Sequence, residues 1–85
     1  MNYPIVVDVT LRAGIADPEG ATIERALPAL GFQGVAHVRT GKTFRFEVDA
    51  PDEASAIATA HALAERLLSN PVIEDVVSVH WARES

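Results

Sequence analysis

The stretch V-A-H-V-R-T-G-K-T-F-R-F-E-V, Val35–Val48, decides how this chain folds. Its even positions are Val38, Thr40, Lys42, Phe44, Phe46 and Val48, and its odd positions include His37, Arg39, Gly41, Arg45 and Glu47. Alternation of period two, apolar on one side and charged on the other, marks a half-buried strand. The phase passes through Thr40-Gly41-Lys42 without slipping, which leaves two readings open. In one, a single strand of about fourteen residues bends at Gly41, far beyond the usual five or six. In the other, two short strands form a hairpin at 40–42, with Val38 facing Phe44 and Ala36 facing Phe46. A single long strand would overhang so small a domain and expose Phe44, Phe46 and Val48 as the core of a dimer.

Upstream, Tyr3–Leu11 places Ile5, Val7, Val9 and Leu11 on one strand face. Asp17-Pro18-Glu19 then opens a helix, with an aspartate cap, proline at the first helical position and an acid in the electropositive first turn. Ile23, Ala26, Leu27 and Leu30 form its apolar stripe. Pro28 predicts a distorted or early end, and Gly31 a stop. Downstream, Asp49-Ala50-Pro51-Asp52 breaks the long strand and starts a second helix running to about Ser69. Its stripe is Ile57, Ala60, Leu63, Ala64, Leu67 and Leu68. Asn70 fits a left-handed cap before Pro71. Ile73, Val77, Val79 and Trp81 alternate as a last strand, and Arg83–Ser85 reads as a fraying tail.

The order is therefore β-α-β-α-β in a single domain, 1–85, of α+β class. With one long bent strand, ferredoxin-like sheets are completed by segments shared between two chains; with the hairpin, the order becomes β-α-β-β-α-β, a ferredoxin-like unit in one chain. The shared dimer is the preferred reading.

Composition narrows the function. The 85 residues are 48% apolar and lack cysteine, which excludes disulfides, thiolate metal sites and a thiol nucleophile. A formal charge of −5 with no basic run argues against nucleic acid. No apolar run approaches the ~20 residues of a membrane span, and no signal peptide is legible, so the cytoplasm is the expected compartment. His37, His61 and His80 fall on three elements; Glu74 and Asp75 have no histidine beside them. Thr40-Gly41-Lys42 lacks the frame of a phosphate loop. No catalytic, metal or cofactor site is expected in this chain. Arg39 and Lys42 are the candidate partner interface, beside Arg45 on the Arg39 face. By residues alone this is a small dimeric binding module.

Four stretches add a resemblance: V-D-V-T-L-R-A-G-I-A-D-P-E-G at 7–20, I-E-R-A-L-P-A-L-G-F at 23–32, V-R-T-G-K at 38–42 and L-L-S-N-P-V-I-E-D at 67–75. In order and spacing they resemble the PurS family, the small subunits of phosphoribosylformylglycinamidine (FGAM) synthase. The resemblance implies a non-catalytic adaptor in purine biosynthesis, a homodimer or higher, helping a glutaminase and a large synthetase subunit to assemble and transfer ammonia. ATP and magnesium would serve the complex, with no cofactor on this chain. The motif positions carried over are Asp17, Pro18, Gly20, Arg39, Gly41, Lys42, Asn70, Pro71, Glu74 and Asp75. The rival from another class is a dimeric ferredoxin-like regulatory module that binds a small molecule; a free-standing enzyme is the weaker third.

Overall fold

The computed structural model describes residues 1–82, so the tail expected at 83–85 lies outside the described residues. The order is β1 Asn2–Leu11, α1 Pro18–Ala26, β2 Gly41–Asp49, α2 Glu53–Leu63 and β3 Glu74–Trp81, the expected β-α-β-α-β. The three strands form one antiparallel sheet in the order β2-β1-β3.

The most apolar strand takes the centre. Tyr3, Ile5, Val7 and Val9 are all buried and share one face. Val48, Phe46 and Phe44 of β2 stand opposite Tyr3, Ile5 and Val7. Val79 and Trp81 of β3 stand opposite Val7 and Ile5. Against this face lies α2, whose Ala56, Ala60 and Ala64 are fully buried. Their four-residue spacing places them on one helix face, and a methyl side chain lets that helix sit close to the sheet. Tyr3 and Trp81 close one end, edge to face at 5.8 Å.

Two irregularities change which side chains enter this layer. Ala64–Leu68 continues α2 as a π-helical turn. The wider turn carries Leu68 against the core and leaves Leu67 74% exposed, so the expected stripe ends one residue out of phase. In β3 a bulge precedes Ser78: Asp8 faces Ser78 but Val9 faces Val76, which makes Val77 the extra residue. Val76 therefore packs inward and Val77 is exposed, where simple alternation predicted the reverse. Nor does Asn70 form a left-handed cap; Ser69 ends the turn in extended conformation, and the Asn70 side chain accepts a hydrogen bond from the Val72 amide.

The organising stretch is only partly strand. Nine residues, Gly41–Asp49, pair with β1, while 35–40 lie outside the sheet, and no hairpin forms at 40–42. The strand-like run is interrupted earlier than Gly41, at His37, whose φ of 59° is left-handed. Phe44, Phe46 and Val48 consequently belong to this chain's own sheet, partly buried, and it is 35–40 that overhangs.

Helix α1 goes with the overhang. It ends at Ala26, two residues before Pro28, and a short 3-10 turn, Pro28–Leu30, leads to Gly31 at φ 90°, which stops it. Gly20 is its one buried residue. The stripe expected to be buried is open instead: Ile23 is 43% exposed and Leu30 69%. Residues 12–40 thus form an arm projecting from the sheet. The chain spans 51 × 33 × 14 Å with a radius of gyration of 16.2 Å, against about 12 Å for a compact domain of this length.

Candidate functional site: where the arm leaves the sheet

Asp17 is the first residue of the junction. An aspartate before proline is set by sequence to cap a helix, and its Oδ1 accepts from the Gly20 amide at 2.9 Å. The carboxylate also reaches across the arm. Oδ2 accepts from the Thr40 amide at 2.6 Å, and the Thr40 hydroxyl donates to Oδ1 at 2.9 Å. Asp17 is buried, and these donors, the Thr40 amide first, hold its carboxyl below the ordinary carboxylate range. One turn on, Glu24 accepts from the Val38 amide at 2.9 Å. The returning segment lies so close to α1 that a Cβ at Gly20 would collide with the Val38 carbonyl oxygen. A glycine is required there by contact.

The sheet side of the junction is tied by charge. Lys42 Nζ lies 3.0 Å from Glu74 Oε2 and 5.9 Å from the Phe44 ring centre. Glu74, buried at the start of β3, also accepts from the Asn70 amide at 2.7 Å; that bond first, then Lys42, lowers its pKa. Arg12 pairs with Asp75 at 3.3 Å and donates to the Glu74 carbonyl. The Arg39 guanidinium donates to the Arg12 carbonyl at 3.2 Å. The motif positions at 17–20, 39–42 and 70–75 therefore meet at one end of the sheet, though they lie far apart in sequence. Beside them are two shallow clefts, one of about 280 Å³ lined by Glu19, Thr40, Lys42 and Glu74, the other of about 230 Å³ lined by Arg12, His61, Glu65 and Asp75.

Sequence reasoning singled out Arg39 and Lys42 for a partner. The structure brings both to the junction, where Lys42 is committed to Glu74 and Arg39 leans on backbone. It missed Arg12, Glu24 and Thr40. An aspartate cap that keeps one oxygen spare was the available signal for Thr40. It also missed Asp8, on the sheet face away from α2, which takes hydroxyls from Ser78 at 2.6 Å and Thr43 at 2.7 Å. Those two bonds lower its pKa, Ser78 the more.

The chemistry here is positional. The junction carboxylates are engaged by amides, hydroxyls or cations; among the described residues no cluster of three or more His, Cys, Asp or Glu could hold a metal ion. The three histidines are exposed and stand apart on the 35–40 segment, α2 and β3. No helix among the described residues is long and apolar enough to cross a membrane.

The PurS family, described as phosphoribosylformylglycinamidine (FGAM) synthase, matches residues 4–80. The chain belongs to the PurS family. It is 49% identical over 70 residues to the PurS subunit of Mycobacterium leprae, covering 82% of this chain and 85% of that one. With the PurS subunit of Synechocystis it shares 39% over 74 residues, 87% of this chain and 74% of the relative. The crystal structure of Thermotoga maritima PurS superposes with a TM-score of 0.87 at 33% identity, covering 96% of this chain and 93% of that one. The structure of T. maritima PurLQS contains a chain that superposes at 0.86, again at 33% identity, with 96% and 99% covered. PurS is a small subunit of FGAM synthase, a ligase of purine biosynthesis, and this chain is one of that family of subunits.

Proposed function

We propose that this PurS subunit acts as a homodimeric cytoplasmic adaptor that brings a glutaminase and a synthetase subunit together and limits the loss of ammonia between them. The observation that carries the reading is the arm. An amphipathic helix that leaves Ile23, and Leu30 just beyond its end, open to solvent, with Leu27 between them only half-buried, needs a second surface. The free edge of β2 provides one: it exposes unpaired backbone groups and leaves Phe44, Phe46 and Val48 half covered beside α2. The 35–40 segment of a second copy, straightened at His37, fits that edge as a fourth strand, antiparallel about a two-fold axis, with its α1 laid beside α2 over those three residues. Two-fold symmetry repeats the exchange for the other chain. Each half then resembles a ferredoxin-like unit, which keeps Phe44, Phe46 and Val48 as the dimer core.

The adaptor role is supported by the T. maritima PurLQS complex, whose PurS chain this one matches over nearly its whole length. The arrangement of bonds at the junction supports it too, because it orders a surface. A neutral ammonia molecule that escapes into water is protonated and ceases to be a nucleophile, so an ordered junction between the two active subunits has chemical value. ATP and magnesium are assigned to the synthetase subunit. The test is co-sedimentation of the purified chain with the glutaminase and synthetase subunits of its source. One complex containing all three is the expected result, and independent sedimentation of the chain at micromolar concentrations would overturn the reading.

A further inference from the structure

We infer that Asp17 and Thr40 form a latch that fixes the direction of the arm before a partner is met, making Asp17 a positioning residue for assembly. The inference rests on the dimer reading above and adds to it how the free chain is prepared.

A helix cap needs one acceptor oxygen. Asp52 shows the ordinary case: at the start of α2 its Oδ1 accepts from the Ser55 amide, three residues away. Asp17 does the same for Gly20, and then engages Thr40, 23 residues along the chain, through both oxygens. Thr40 immediately precedes β2, so the carboxylate ties the start of α1 to the last residue before the sheet. Glu24 adds a second tie at Val38, and the contact between Gly20 and the Val38 carbonyl leaves no room for α1 to ride away on a side chain. Beyond these ties α1 is almost wholly exposed. Without them the arm would pivot about the loop at 12–16 and the segment before Gly41. Its stripe would then meet a second copy in the right direction only part of the time. Apparent affinity falls in proportion to the fraction of chains in the competent conformation, so a latch acts directly on assembly.

The carboxylate geometry offers a substitution that separates capping from latching. In Asp17→Asn the amide oxygen still accepts from Gly20, while the amide nitrogen, placed at Oδ2, meets the Thr40 N–H donor to donor. The test compares wild type, D17N and the control D52N. Hydrogen exchange at the Val38 and Thr40 amides reads the latch, and the dimer dissociation constant from sedimentation reads assembly. D17N is expected to speed exchange at both amides at least tenfold and to weaken the dimer at least tenfold, with D52N near wild type in both. Should D17N not fold, the pair T40V and E24A removes arm ties without touching the cap and is read in the same way. A wild-type chain that stays monomeric would refute the dimer reading. A wild-type dimer that D17N matches in affinity would overturn the latch and leave the dimer reading intact.

Discussion

Leu30→Ala measures the arm most sharply, because its effect should depend on whether a second copy is present. Leu30 is 69% exposed in the single chain. Truncating an exposed apolar side chain normally shifts stability by less than about 0.5 kcal/mol, so an isolated chain should barely notice the change. If a second copy covers the stripe, the exposed part of the leucine is worth about 1.5 kcal/mol at ~25 cal/mol per Å². Two-fold symmetry counts that twice, giving about 3 kcal/mol, or roughly a hundredfold in dissociation constant. Sedimentation velocity over a concentration series gives the constant, and urea unfolding below it gives the stability of the single chain. An unchanged dimer with an unchanged chain would place Leu30 outside any interface and remove the main support for the covered arm.

Other expectations follow from the sheet and the junction. Val7→Ala, at the centre of β1 and fully buried, should cost about 2–3 kcal/mol in urea unfolding, from the lost methyl groups and the cavity left behind. Arg39→Ala should leave the melting temperature near wild type, since its one bond there is to an exposed backbone carbonyl; Lys42→Ala should lower it, because Glu74 is left buried with one donor fewer. Either substitution that weakens partner binding would support the candidate interface. Asp8, Asp17, Asp52 and Glu74 all have depressed pKa values. The unfolded chain therefore takes up protons first as pH falls. Their stabilisation is full above the ordinary carboxylate range and is lost from about pH 4 downward as the folded carboxyls protonate. Melting temperatures between pH 7 and pH 3 should fall only at the acid end.

What the sequence made legible was whatever depends on neighbours in the chain. The aspartate and proline at 17–18 announced α1, Pro28 its early end, and the alternation at 44–48 the face that meets the core. What it hid was set by other segments. The extra residue at Val77 reverses the face of β3 only because β1 fixes the register beyond it. The π turn at Ala64–Leu68 widens the helical period locally, so of the expected Leu67 and Leu68 only Leu68 reaches the core. The alternation at 35–40 is strand-like, yet His37 in its middle is left-handed, and such a segment becomes a strand only where another edge receives it, which none does among the described residues. At the junction, motif residues were visible as separate capping and turn signals. Their convergence was not, because the Asp17–Thr40 and Lys42–Glu74 ties are products of the three-dimensional path.

Reconstitution tests the adaptor claim most directly. The glutaminase and synthetase subunits of the source, purified and mixed with glutamine, ATP, magnesium and formylglycinamide ribonucleotide, are assayed for formylglycinamidine ribonucleotide with and without this chain. The account predicts that the chain alone is silent and that glutamine-dependent product formation requires its addition. Ammonia supplied directly should support the synthetase without it. Equal glutamine-dependent rates in its presence and absence would contradict the account.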